Sequence, residues 1–310
     1  MRPSLPAVRT SLLDWYAVAS RTELPWRKVR DPYYTLVSEF MLQQTQVDRV
    51  VERFSAFVAR FPDFGALARA STADVLRQWK GLGYNSRAVR LKAVGDAIVA
   101  RYGGAMPSDS GELRALPGIG AYTAAAIRAF AFELDDAPID TNVRRILQRV
   151  FFGIEPGAAP AARELEARAR ALVPPGKAHD WTSALMDLGA TICTARAPKC
   201  LICPLRRECV AAPIDATRLE RLRRQASAER APRNREPFES TARYARGRIV
   251  DRLRELAPGA QISLLDLHGS LKPLLPGRTP DDVRELVAAL EREGVVARRG
   301  EGFALPENGA

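Results

Sequence analysis

Cys193, Cys200, Cys203 and Cys209 are the only cysteines in the 310-residue chain, and they fall within one short stretch. Their spacing is Cys-x6-Cys-x2-Cys-x5-Cys. Four thiolates on one loop are the ligand set of an iron–sulfur cluster or of a structural zinc. Arg196, Lys199, Arg206 and Arg207 surround them, so the braced loop carries positive charge suited to phosphates. The only histidines are His179 and His268, far apart in sequence, which leaves little for a histidine metal site or a Ser/His/Asp triad.

Two carboxylates sit where chemistry is possible. On a helical wheel over residues 36–51, Val37, Phe40, Met41, Val47 and Val51 form an apolar stripe, with Ser38, Glu39, Gln43 and Gln46 beside it and Gln44 falling toward it. A flank of amides and hydroxyls around one carboxylate differs from an ordinary solvated face. Glutamines can hydrogen-bond base edges or fill an opened duplex. A carboxylate beside apolar groups has its charged form disfavoured by desolvation, which suits a general acid. A solvent-facing glutamate is the plainer reading. Asp140, in PIDTNVRRIL, stands just before a helix. It reads as an N-cap, and the same position lets a carboxylate face a developing positive charge.

The segment LRALPGIGAYTA, residues 113–124, reads as helix, tight turn, helix. Gly118 and Gly120 permit positive φ and close backbone approach. The free N–H groups opening the second helix can hold a phosphate oxygen. An ordinary turn between two helices reads the same way.

These residues need elements to hold them. Helical spacing covers 36–61 and then roughly 72–80, 86–102, 110–116, 122–133, 142–151, 160–173 and 180–192. Gly/Pro signals at 81–83, 117–120 and 174–176 separate them. No stretch keeps a period of two, so residues 1–212 are expected to be all-α. Residues 213–239 read as a basic linker with a short helix near 216–228. From 240, three helices, the last capped by Thr279 and stopped at Gly294, precede two strands around an Arg-Gly turn. That order describes a small winged-helix-like α+β domain over 240–310.

The net charge of +11 favours a polyanionic partner, nucleic acid ahead of a membrane surface. No apolar run is long enough for a membrane span. The opening MRPSLPAVRTSLLDWY lacks the core and cleavage site of a secretory signal, so the cytoplasm is expected. There, clustered cysteines bind metal more often than they form disulfides.

LPWR (24–27), VSEFMLQQTQV (37–47), GLGY (81–84), LPGIGAYTA (116–124), IDTNVRRIL (139–147) and the cysteine loop (184–209) occur in this order. Together they resemble the helix–hairpin–helix superfamily of DNA glycosylases, and within it the MutY-type adenine DNA glycosylases. The resemblance covers about residues 10–212. It implies a six-helix barrel plus an iron–sulfur domain, with the loop at 193–209 ligating a [4Fe–4S] cluster. It implies removal of adenine mispaired with 8-oxoguanine or guanine in double-stranded DNA, by a monomer working at the nucleoid. By position, Glu39 matches the acid that protonates adenine N7 and later helps activate water. Asp140 matches the carboxylate that stabilises the oxocarbenium-like sugar, and Asn142 a residue that orients carboxylates or water. Tyr122 stands where strand-cleaving relatives carry a lysine, which implies a monofunctional enzyme. Trp26, Arg27 and Leu42 match positions around the extruded base. Gln44, Leu82 and Tyr84 match residues that enter the duplex. Ser183 stands where several members place Gln or Glu against the adenine, and Asn85 where a second aromatic is frequent. The winged-helix-like region stands in place of the usual Nudix-like domain. A thymine or uracil mismatch glycosylase, or a non-catalytic DNA-binding protein of this fold, are the alternatives.

Overall fold

The structure, a computed structural model, describes residues 3–154, 160–230 and 237–307. Fifteen α-helices and three short strands occur among them. The helices begin with α1 (Leu5–Ala19), α2 (Pro32–Leu42), α3 (Val47–Arg60), α4 (Phe64–Arg69) and α5 (Thr72–Gln78). They continue with α6 (Ser86–Tyr102), α7 (Ser110–Arg114), α8 (Ala121–Ala131), α9 (Thr141–Phe151) and α10 (Ala162–Leu172). Then come α11 (Ala178–Thr191), α12 (Ala216–Arg230), α13 (Ala242–Arg254), β1 (Ile262–Ser263), α14 (Leu264–Leu271), α15 (Pro280–Arg292), β2 (Ala297–Arg299) and β3 (Gly302–Ala304). None of the described helices is long and apolar enough to cross a membrane.

The chain packs as two compact units. The first takes the described residues of Met1–Thr35, Ser108–Ala115 and Ile119–Arg233; the second takes those of Leu36–Pro107, Leu116–Gly118 and Asn234–Ala310.

In the first unit, α1, α8, α9, α10 and α11 bury one core that includes Leu12, Val143, Ile146, Leu172, Trp181 and Leu188. Each contributes the apolar face its helical period predicts. Arg9 of α1 donates from Nε to Leu172 O (3.0 Å) and from Nη2 to Ala171 O (2.7 Å). It thereby satisfies carbonyls that the end of α10 leaves without an intrahelical partner. Where α11 crosses α9, Gly189 leaves no room for a side chain: a Cβ there would lie 2.7 Å from the Cβ of Asn142.

In the second unit, α4 and α5 lie against α6. Gly95, in the middle of α6, admits Leu67 of α4, whose Cδ2 would sit 3.0 Å from a Cβ at that position. The sequence reading of 36–61 as continuous helix is corrected here. α2 stops at Leu42, Gln44 takes φ 56°, and α3 starts at Val47. The apolar spacing carried across the gap because both helices bury their faces, yet the carbonyls between them bond elsewhere.

The C-terminal residues form part of the second unit. α13, α14 and α15 pack together beside an antiparallel sheet of order β1-β3-β2, with Ile262 opposite Phe303 and Arg298 opposite Phe303 on the other side. The expected three helices and hairpin are present; β1 was not anticipated, because two residues are too few to show a period. Thr279 caps α15 in a reciprocal box: Asp282 N donates to Thr279 Oγ1 (3.2 Å), and Thr279 N donates to Asp282 Oδ2 (2.7 Å). α13 packs against α5. Arg254 donates from Nε to Leu76 O (2.9 Å) and from Nη2 to Asn85 Oδ1 (2.7 Å), and Ala73 N donates to Pro306 O (2.6 Å). The linker helix α12 extends to Arg230; residues 231–236 of the expected linker lie outside the described residues.

Gly189→Ala is expected to lower stability by about 1–3 kcal/mol, since neither helix backbone can withdraw easily. Gly269→Ala in α14, where a Cβ meets nothing within 4 Å, should instead add about 0.5–1 kcal/mol. Thermal melting of the two variants checks both signs.

Candidate functional site

In the second unit, Glu39 lies in α2 and is 8% exposed, flanked in sequence by the buried Ser38 and Phe40. Leu42, half-buried, ends the same helix. Beyond it the chain makes two exposed loops that each carry a left-handed residue, Gln44 (φ 56°) and Tyr84 (φ 46°). One side chain binds both loops. The Arg87 guanidinium donates from Nη1 to Phe40 O (2.7 Å), Met41 O (2.9 Å) and Gln43 O (2.6 Å). It donates from Nη2 to Thr45 Oγ1 (3.0 Å), Leu82 O (3.0 Å) and Gly83 O (3.1 Å). Its guanidinium carbon lies 5.5 Å from the ring centroids of both Trp79 and Tyr84. Burial pulls Arg87 down to about 10, so it remains charged at neutral pH. Arg87 thus binds the carbonyls at the end of α2, where the helix stops at Leu42.

Leu82, which the resemblance groups with the residues that enter a duplex, is 3% exposed in this structure. Its carbonyl, bound to Arg87, turns the side chain inward and leaves Gln44 and Tyr84 at the loop surfaces. Gly118 has φ 78°, and a Cβ there would come within 3.1 Å of Arg90 Cδ, so both conformation and space demand glycine.

In the first unit, Asp140 caps α9. Its Oδ1 accepts from Val143 N (2.6 Å) and its Oδ2 from Asn142 Nδ2 (3.1 Å). Asn142 Oδ1 accepts from Arg145 Nη2 (2.8 Å), which also donates to Gly189 O (2.8 Å), while Arg145 Nε donates to Cys193 O (2.8 Å). A continuous chain of hydrogen bonds therefore connects the Asp140 carboxylate to the first cysteine. Gly120 is the N-cap of α8 and has no side chain to bond the first N–H groups, and the half-buried Tyr122 lies in the first turn of that helix.

Trp26 and Arg27 form a short 3-10 turn, Pro25–Arg27. Trp26 is half-buried. Arg27 is occupied by a partner that the sequence reading missed: it donates from Nη1 to Asp187 Oδ2 (2.7 Å) and from Nη2 to Asp187 Oδ1 (3.0 Å). Arg21 Nε donates to the same Oδ1 (2.6 Å), and Asp187 is 1% exposed. Burial raises Asp187, but Arg27 and Arg21 outweigh it and hold the carboxyl below its usual range. Ser183 is fully buried beside Tyr16, whose ionisation burial pushes up while the serine hydroxyl pulls it down.

All four cysteines line one cavity of about 20 Å³, together with Leu188, Ile192 and Leu205. Among the described residues, no three His, Cys, Asp or Glu side chains are grouped as ligands of a metal ion. The thiols instead face a shared space. Arg149 Nη1 donates to Cys193 Sγ (3.4 Å) and to Thr194 O (2.8 Å), and Cys209 Sγ donates to Arg149 O (3.3 Å). Burial pushes Cys203 up to about 12 and Cys209 up to about 11. Without a cation these sulfurs keep their protons; a bound metal group would displace them. Arg196, Lys199, Arg206 and Arg207 are exposed around the loop.

Asp187→Asn gives a test with a defined sign. A carboxyl held low in the folded state adds stability above about pH 4, its unfolded value, and loses it as pH falls through the folded value. The variant should be about 3 kcal/mol less stable at pH 7, and the difference should shrink in denaturant melts taken below pH 4.

Comparison with known proteins places this geometry. The profile of the HhH-GPD superfamily of base excision DNA repair proteins matches residues 37–175. The adenine DNA glycosylase of Mycolicibacterium smegmatis is 39% identical over 306 residues, 96% of each chain. That span necessarily includes most of the C-terminal region. A thermostable thymine-DNA glycosylase structure superposes with a TM-score of 0.61 at 30% identity, over 66% of this chain and 95% of the other. An endonuclease III–DNA complex superposes at 0.57 with 20% identity, over 71% and 99%, which is a likeness of fold. Cysteine loop, helix–hairpin–helix turn and a match of 39% identity over nearly the whole of both chains agree: the chain belongs to the adenine DNA glycosylase family of the HhH-GPD superfamily.

Proposed function

We propose that this protein is a monofunctional DNA glycosylase that hydrolyses the N-glycosidic bond of adenine mispaired with 8-oxoguanine or guanine in duplex DNA. The observation that carries the reading is a pair of carboxylates that are each held in place. Glu39 is 8% exposed within an apolar helix, and Asp140 caps α9 with both oxygens bound by donors. Two carboxylates fixed on separate helices can divide acid and charge-stabilising roles.

Adenine in a duplex is stacked, and extruding it costs a few kcal/mol. Gln44 and Tyr84, at left-handed loop positions held by Arg87, are the side chains assigned to fill the gap. Adenine leaves poorly as an anion, so Glu39 is assigned to protonate N7. The sugar left behind carries positive charge, and Asp140, held by Val143 N and Asn142, is assigned to face it. Glu39 then takes a proton from the water that adds to the sugar carbon. Trp26 and Leu42 are assigned to the surroundings of the extruded base, with Arg27 fixed by Asp187 to hold its turn. Tyr122 cannot form a Schiff base, so no strand cleavage follows.

The four cysteines are assigned to a [4Fe–4S] cluster, whose contribution when bound is to brace the loop that carries Arg196, Lys199, Arg206 and Arg207 against the DNA backbone. The protein acts as a monomer at the nucleoid in this reading. Removal of thymine is the second reading, supported by the likeness to a thymine-DNA glycosylase.

Two outcomes are expected. In a panel of mismatched duplexes, adenine is released opposite 8-oxoguanine and guanine, and borohydride traps no covalent adduct; release of thymine without adenine would favour the second reading. The purified protein is brown and contains iron and sulfide, and Cys200→Ser lowers both; a colourless protein with one zinc per chain would overturn the cluster assignment.

A further inference from the structure

Around Tyr84 the C-terminal part of the second unit adds a set of side chains that excision of a base does not require. Arg243, in the first turn of α13, lies over the Tyr84 ring with its guanidinium carbon 4.1 Å from the centroid. It also lies near Phe238, with the guanidinium carbon 5.8 Å from that ring centroid. Phe238 meets Tyr244 edge-to-face at 5.6 Å, and Arg248 lies 5.3 Å from the Tyr244 centroid. Arginine and aromatic side chains are thus interleaved from the Tyr84 loop onto α13, with Phe238 and Tyr244 in direct ring contact. Tyr84 is 37% exposed and Phe238 54%, and Arg243 is exposed as well.

Three features argue against a merely structural ladder. Arg243 stands near the positive end of the α13 dipole, where a cation is disfavoured. It forms no ion pair with any described carboxylate, although α13 keeps Asp251 for Arg248 and Arg254. It also shares the Tyr84 ring with Arg87, and the two positive charges disfavour one another. An anion arriving beside Arg243 relieves all three. The ladder is rigidly placed: Tyr244 N donates to Thr241 Oγ1 (3.2 Å), Arg278 Nη2 to Ser240 O (2.8 Å), and Arg254 Nη2 to Asn85 Oδ1, next to Tyr84. Arginines interleaved with exposed rings are the composition that binds nucleic-acid strands.

We propose that Tyr84, Arg243, Phe238 and Tyr244 form one DNA-binding ledge, on which the C-terminal region extends the duplex contact beyond the Tyr84 loop and Arg243 takes a backbone phosphate. The inference rests on the reading of the Tyr84 loop as facing DNA.

The test uses the full chain and a lesion-free duplex, so that it is read without base excision. Binding is measured against salt for the wild type, Arg243→Lys, Arg243→Gln and, in α15, Arg284→Ala. Loss of one phosphate contact makes the slope of log K against log salt shallower by about one and weakens binding roughly 5- to 10-fold at moderate salt. Arg243→Gln, which keeps a planar group without charge, is expected to show that loss. Arg243→Lys, which keeps charge without the plane, should retain the wild-type slope, and Arg284→Ala should bind as wild type does. A slope unchanged in Arg243→Gln overturns the ledge and leaves Arg243 as a brace for Tyr84; an equal loss in Arg284→Ala overturns it too, as a general effect of charge. Adenine release by the wild type is assayed separately. Its absence would count against the glycosylase reading, while the salt slopes would still decide the ledge.

Discussion

Taking the Arg87 guanidinium out of water costs several kcal/mol unless its protons are matched; five backbone carbonyls and one hydroxyl receive those of Nη1 and Nη2, while the buried Nε has no partner among the described residues. Those acceptors belong to two segments far apart in sequence, 40–45 and 82–83. Satisfying one charge therefore fixes both loops at once. The left-handed turns at Gln44 and Tyr84 are the geometric consequence, and they set which side chains the second unit presents.

The same constraint operates in the first unit. Asp187 is tolerated in the core because Arg21 and Arg27 close around it, and Arg149 because Thr194 O, Ala195 O and Cys193 Sγ receive its protons. Arg145 bridges Asn142 and the cysteine loop. A carboxylate proposed to act in catalysis must be held to within a fraction of an ångström. Asp140 is held by its own helix and by a chain of bonds that ends at Cys193, so what braces the loop also braces the carboxylate.

Much of this was legible in the residues, and the reasons are local. The Thr279 cap, the Asp140 cap and the glycine at Gly118 follow from rules that span a few residues, and the structure shows each. The cysteine spacing led to four thiols on one cavity. What escaped depended on distant partners. Nothing near Arg87 or Asp187 in sequence marks them as buried charges, because most of their partners come from other elements. The break between α2 and α3 was hidden by apolar spacing that both helices share.

The central claim is that Glu39 and Asp140 act on the same bond. It is tested most directly by single-turnover adenine release from a duplex holding adenine opposite 8-oxoguanine, using Glu39→Gln, Asp140→Asn and the double variant. The account predicts that each single change slows release by about 10²–10⁴-fold and that the double variant falls far short of the product of the two losses, as groups acting on one transition state do. Wild-type rates in Glu39→Gln, or losses that multiply fully in the double variant, would contradict it.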